Sequence, residues 1–231
     1  MELQIYNKLL ELPLFQGLSR VDMTEILART KFGFEKIEAD KEVVRAGEEC
    51  HRLFFLLNGT LEIENISDDH NYRIIESTTG PEVLQPERIF GLRQRYTKTY
   101  RTKESCNFVW LMKSEVLKLM ANYEIFRLNL LNIISTFGQR SADWVWRHSP
   151  QDVKGHIIRW IAGHVSDPIG EKIVYIKMRQ LAQEVNDSRL DVSKALNEME
   201  SEGLIKLLRG RFIVPEMRML INGNQTISNK S

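Results

Sequence analysis

Only two cysteines, Cys50 and Cys106, occur in 231 residues, and they lie far apart. That excludes a disulfide framework and a cluster of closely spaced thiolate ligands, and it fits a reducing cytoplasm. No apolar run approaches the roughly 18 residues of a membrane span. The opening MELQIYNKLLELPLF lacks the basic-then-apolar order of a signal peptide. A cytoplasmic chain with no membrane partner is therefore expected. Charge of one sign is missing as well: 32 Lys and Arg face 31 Asp and Glu, so any surface for nucleic acid must be local. There is no nucleophile elbow, Walker loop or HExxH, which leaves an enzyme reading without support. His51, His70, His148, His156 and His164 show no metal-ligand spacing, and no metal is expected. Internal repeats and low-complexity tracts are absent too.

What is there centres on Met178 to Leu204, MRQLAQEVNDSRLDVSKALNEMESEGL. Leu181, Ala182 and Val185 share one face of a short helix that Asn186-Asp187 breaks. Ser188 opens a second helix, with Asp191 at capping-box spacing. Val192, Ala195, Leu196 and Met199 then recur at helical period. Arg189, Leu190, Ser193 and Lys194 occupy the other face of its first two turns. Polar and basic side chains at the leading end of a second helix suit insertion into a major groove. The pattern is that of a helix-turn-helix.

Upstream, residues 2–12 and 19–31 predict short helices, the latter capped by Ser19. From Phe34 to about Met112, short pieces rich in Val, Ile, Phe and Tyr alternate with turn formers. Such spacing predicts an antiparallel sandwich or barrel, with Asn58-Gly59 as a hairpin turn. Residues 113–148 predict one long helix of about 50 Å, whose apolar stripe needs a partner. Leu119, Tyr123, Phe126, Leu130, Ile133, Phe137 and Trp144 would form the stripe. Its partner is a second copy of the helix, or else the helix is sandwiched between two domains of one chain. Ser149-Pro150 predicts the start of the next helix. Lys172–Ile176 predicts a strand, and residues 204–214 a hairpin that reads as a wing.

The organisation is thus α+β: a β-rich module over 1–112, a dimerisation helix over 113–148, a winged helix-turn-helix over 149–220 and a flexible tail over 221–231. At this point the chain resembles the Crp/Fnr-type bacterial transcription regulators. Leu14-Phe15-Gln16-Gly17-Leu18-Ser19, Ala46-Gly47-Glu48, Leu53–Gly59, Ile89-Phe90-Gly91 and Leu181–Ile205 carry the resemblance, which covers nearly the whole chain. It implies a β-roll of the cyclic-nucleotide-binding type (a double-stranded β-helix), a dimerising helix and a winged helix. It also implies a homodimeric, allosteric transcription regulator that binds double-stranded DNA with a palindromic operator and engages RNA polymerase.

Carried over by position, Arg189 becomes the arginine that reads a base edge, with Leu190, Ser193 and Lys194 beside it. Leu190 replaces a glutamate common in the family and cannot accept a hydrogen bond from cytosine. Lys177, Arg179, Ser188, Lys206, Arg209 and Arg211 become contacts to the DNA backbone. In the effector pocket Gly91 matches the family glycine. The carboxylate position falls on Leu92, the arginine position on Tyr96 and the serine position on Thr97; Ser141 falls where a helix hydroxyl is found. Cyclic AMP is therefore not expected as the ligand, and no cofactor is required. Arg93, Arg95, Lys98 and Arg101 leave open a small anionic effector, a pocket filled by side chains, or a constitutive regulator. A protein-interaction module that no longer binds DNA is the rival from another class.

Overall fold

The computed structural model describes residues 2–146 and 149–221, with side chains from Asn7 onward except at Trp144 and Val145. His148 and most of the expected tail lie outside the described residues. By internal packing the chain divides into two compact units, Met1–Glu62 with Thr78–Val145 and Ile63–Ser77 with Trp146–Ser231.

The first unit opens with helix α1 (Glu2–Glu11) and helix α2 (Arg20–Arg29). Ser19 caps α2 in a full capping box with Asp22: its hydroxyl accepts from Asp22 N at 3.1 Å, and Ser19 N donates to the Asp22 carboxylate at 3.3 Å. In chain order strands β1 (Phe32–Ile37), β2 (Glu42–Val44), β3 (Arg52–Asn58), β4 (Thr60–Ile66), β5 (Tyr72–Thr79), β6 (Glu82–Val83), β7 (Thr99–Thr102) and β8 (Cys106–Met112) follow, with residues 63–77 of β4 and β5 belonging to the second unit. One sheet has the order β1-β8-β3-β6, while β2 pairs with β7. Asn58-Gly59 does not close a hairpin, because β3 and β4 on either side of it belong to different sheets. Gly59 turns this corner at φ +100, and a Cβ there would meet Cys106 Sγ at 2.5 Å. The dipeptide that suits a hairpin suits any sharp turn, and the buried pairing of β3 with β8 decided between them. Gly33 has a similar role opposite Trp110, whose ring fills the space of a side chain at 2.0 Å.

The expected single long helix is two: α3 (Lys113–Asn122) and α4 (Glu124–Trp146). Tyr123 leaves the helical region at φ −125, and the Arg127 guanidinium takes up the carbonyl of Met120 at 3.0 Å. Asn and Tyr are poor helix formers, and a side-chain donor for a terminal carbonyl makes the break cheap. Phe126 and Leu130, one turn apart on α4, are fully buried, and Phe126 packs on Phe15 at 5.4 Å. Burying each contributes roughly 1.5–3 kcal/mol. The Asn129 amide ties α4 down through the carbonyls of Leu14 and Gln16.

In the second unit come α5 (Val153–His164), β9 (Lys172–Ile176), α6 (Met178–Val185), α7 (Arg189–Ser201), β10 (Lys206–Leu208) and β11 (Arg211–Val214). Helix α5 starts at Val153 rather than at Pro150, because Asp152 supplies the cap, accepting from Gly155 N at 2.8 Å. Ile157, Ile161, Val174, Leu181, Val192, Leu196, Met199 and Phe212 build one core, which Ile74 of β5 joins. β5 lies antiparallel beside β9, from Tyr72↔Ile176 to Glu76↔Lys172, and β9 pairs on its other edge with β11. The sequence pattern assigns residues 63–77 to the β-rich module; packing groups them with the winged helix. Period-2 alternation places Ile74 on an inner face but leaves open which core that face meets.

Candidate nucleic-acid interface

The α6–α7 turn is built by a left-handed Asn186 at φ 57, followed by Asp187, whose N–H donates to Ala182 O. Asparagine tolerates this conformation better than other side chains. Ser188 then caps α7: Asp191 N donates to its oxygen at 3.1 Å, and its hydroxyl donates to the Asp191 carboxylate at 2.6 Å. Gly203, at φ +72, ends the helix, with Leu204 N bonded to Met199 O.

With Val192, Ala195, Leu196 and Met199 buried, helical geometry turns the opposite face of α7 outward. Arg189 and Lys194 are exposed, Ser193 is half-buried, and Leu190 is 65% exposed, high for a leucine. Lys194 stands 4.0 Å from Asp191. Arg179, Gln183, Asn186, Ser188 and Arg189 line a shared concave surface. Lys177, exposed, is the N-cap of α6. On the wing, Lys206, Arg209 and Arg211 are all exposed, and Arg211 Nη1 donates to the Tyr175 hydroxyl at 2.8 Å. The structure thus brings Arg179, Ser188 and Arg189 together and sets the wing cations apart on their own hairpin.

Sequence reasoning missed the partner of this turn. His156 of α5 places Nδ1 2.7 Å from Asp187 Oδ2 and Nε2 2.8 Å from Pro150 O. Its pKa is raised, first by the hydrogen bond to Asp187, against a smaller opposing effect of burial. The spacing of His156 from the other histidines bears on metal ligation alone. Nothing in a single sequence pairs it with an aspartate across a fold.

The residues carried over to an effector pocket scatter. Gly91 takes φ +89, as a tight glycine turn requires, and Leu92 at the carboxylate position is fully exposed. Arg93 is exposed. Arg95, also exposed, donates to Gly47 O and pairs with Glu49, and Arg101 pairs with Glu42. Tyr96 is buried, its hydroxyl donating to Arg52 O at 2.7 Å, and burial pushes its pKa up. Gln85, absent from the sequence reading, is 4% exposed in a left-handed conformation. Its Nε2 donates to Thr97 Oγ1 at 2.7 Å, and its Oε1 accepts from the Thr97 and Lys98 amides. A built-in amide therefore holds the very groups that the family resemblance would offer to a ligand. Ser141 is exposed on α4. Both cysteine thiols are buried, which raises their pKa values.

Of the stripe expected at the dimer interface, Leu119, Phe126 and Leu130 face the first unit's own core instead. Tyr123 and Ile133 are half-buried, Phe137 is exposed, and the Trp144 side chain lies outside the described residues. Ile125, Leu128 and Leu131 are exposed on the outer face of α4. The period identified a helix with an apolar face but could not divide that face between two uses.

Among the described residues no group of three or more His, Cys, Asp or Glu could hold a metal ion, and no helix is long and apolar enough to cross a membrane. Residues 34–123 match the family model of the cyclic nucleotide-binding domain. No curated protein matches the chain. Similar solved structures include the sensor domain of the transcriptional regulator DNR from Pseudomonas aeruginosa, at 23% identity, 62% of this chain, 95% of that one and a TM-score of 0.52. The Thermus thermophilus catabolite activator protein matches at 18% identity, 90% and 96% coverage and a TM-score of 0.48. The c-di-GMP responsive global regulator CLP of Xanthomonas campestris matches at 16%, over 85% and 99%, with a TM-score of 0.48. The family model covers residues 34–123, so this stretch of the chain has the fold of a cyclic nucleotide-binding domain.

Proposed function

We propose that this chain is a homodimeric, sequence-specific DNA-binding regulator of transcription that acts in the cytoplasm. The observation that carries the reading is the leading end of α7. Ser188 caps it, Arg189, Leu190 and Lys194 stand exposed, and the opposite face is locked in the core. A helix held by its far side and free at its N-terminal turns is suited to the major groove. Arg189 reads guanine through N7 and O6, Leu190 packs on a thymine methyl, and Ser193 and Lys194 add contacts to bases. Lys177, Arg179, Ser188, Lys206, Arg209 and Arg211 hold the phosphates and set register without reading sequence. The exposed stripe Ile125, Leu128, Leu131 and Phe137 takes a second copy, giving two heads for a palindrome. RNA polymerase is the further partner of such a regulator.

The β-roll works without cyclic AMP. No carboxylate stands at the ribose position, where Leu92 is exposed, and Gln85 occupies the amides and hydroxyl at Thr97–Lys98. Those engaged amides favour a second reading within the same function: a regulator that needs no effector. A small anion is its competitor, to be drawn by Arg93 and by the paired Arg95 and Arg101.

Selection of bound sequences from random duplexes, followed by gel shifts, tests the reading. Arg189→Ala should weaken the selected site by about 1–3 kcal/mol and relax preference at one position of each half-site. Lys206→Ala should weaken all sequences alike and lower the salt slope by about one. Equal binding by Arg189→Ala and wild type would refute the assignment. Failure to select any palindrome would favour the protein-interaction module.

A further inference from the structure

His156 lies with both ring nitrogens against groups that can only accept: a carboxylate oxygen of Asp187 and the backbone carbonyl of Pro150. A neutral imidazole has one N–H and would turn a lone pair toward the second acceptor. The imidazolium alone satisfies both. Each acceptor has a place in the fold. Asp187 is in the α6–α7 turn, immediately before the Ser188 cap, and its backbone N–H is itself bound to Ala182 O. Pro150 precedes α5 and packs so closely on Gly155 that a Cβ there would fall 2.4 Å from the proline ring. The histidine is therefore a two-point clamp between the start of the module and the turn that aims α7.

We propose that His156 is a positioning residue for the DNA-reading end of α7 and makes operator binding depend on proton concentration. The imidazolium holds the turn, and the neutral ring releases one of its two points. This rests on the reading of α7 as the helix that enters DNA. The charged groups facing the ring are Asp187 from the turn and Asp152 from the cap of α5, both acidic, so both favour the imidazolium. The folded value lies above the ordinary 6.5. The clamp is accordingly complete below about 6.5 and is lost as pH rises through the folded value.

The test uses the full chain. Nitrogen-detected NMR of the histidine rings, without DNA, should show both His156 nitrogens protonated at low pH and a titration midpoint above the ordinary 6.5. Asp187→Asn keeps an acceptor but removes the charge, so the titration midpoint should move to lower pH. On the selected operator at fixed salt, wild-type affinity should fall roughly tenfold from about pH 6 to pH 9, the scale of one charge-assisted hydrogen bond. His156→Gln should bind more weakly at low pH and show no such fall. Asp187→Asn should move the fall to lower pH in step with its ring titration, which a merely structural contact would not do. A His156 midpoint at or below the ordinary 6.5, or the same pH profile in wild type and His156→Gln, overturns the proposal. Should no DNA bind at any pH, the DNA reading is what fails, and the NMR midpoints still decide the clamp.

Discussion

Neutralising Glu76 is expected to loosen the second unit more than any surface change could. Its carboxylate is 2% exposed and stands 3.3 Å from the Lys172 ammonium, itself 1% exposed. It also accepts from Ser166 N at 2.9 Å, from the Ser166 hydroxyl at 2.7 Å and from the Asn65 amide at 3.1 Å. Glu76→Gln keeps the shape and one acceptor oxygen. It turns the other oxygen into a donor and leaves the lysine charge, among the described residues, with neutral acceptors such as the carbonyl of Ile169 at 2.8 Å. A buried charge stripped of its partner costs about 3–5 kcal/mol. Replacing Lys172 by methionine as well removes the stranded charge, and a buried pair exchanged for uncharged groups is often close to neutral. The double variant E76Q/K172M should therefore return to within about 2 kcal/mol of wild type, the residue being the mispaired amide. Hydrogen exchange at the β9 amides, with urea unfolding of the full chain, reads both numbers. If E76Q costs less than about 1 kcal/mol, or if E76Q/K172M is no more stable than E76Q, the pair does not do what its burial implies.

Three further outcomes follow from the geometry. Gly59→Ala puts a Cβ at 2.5 Å from Cys106 Sγ on a backbone at φ +100, and should lower the first unit's stability by well over about 1 kcal/mol; a thermal melt unchanged by the substitution would show that the corner is slack. Leu128→Glu places a charge in the exposed stripe of α4, where Leu128 is 48% exposed, and, counted on both copies, should forfeit about 1.5–3 kcal/mol of association. Sedimentation should then find monomers with an unchanged circular dichroism spectrum, and an intact dimer would place the interface elsewhere. Gln85→Ala removes the acceptor from the Thr97 amide, at about 1–3 kcal/mol; exchange at residues 96–98 should quicken, and unaltered protection would mean that the side chain does not hold these amides.

Much of this protein was legible in residue order because the signals are local. Helix caps at Ser19 and Ser188, the period of Leu181 through Met199, and short β-branched runs divided by turn formers depend on neighbours within a few positions. The same locality exposed the leading end of α7, since a helix whose one face is apolar must turn the other outward. Tertiary structure decided what no neighbour could. It assigned β3 and β4 to different sheets across a turn that suits a hairpin, and interrupted the long helix at Tyr123 where Arg127 caps a carbonyl. It spent Phe126 and Leu130 on the chain's own core, and joined Ile74 and Glu76 to residues about a hundred positions later. It also set His156 against Asp187 and Gln85 against Thr97. These pairings depend on long-range burial and hydrogen-bond satisfaction, which the periodicity of a single chain does not encode.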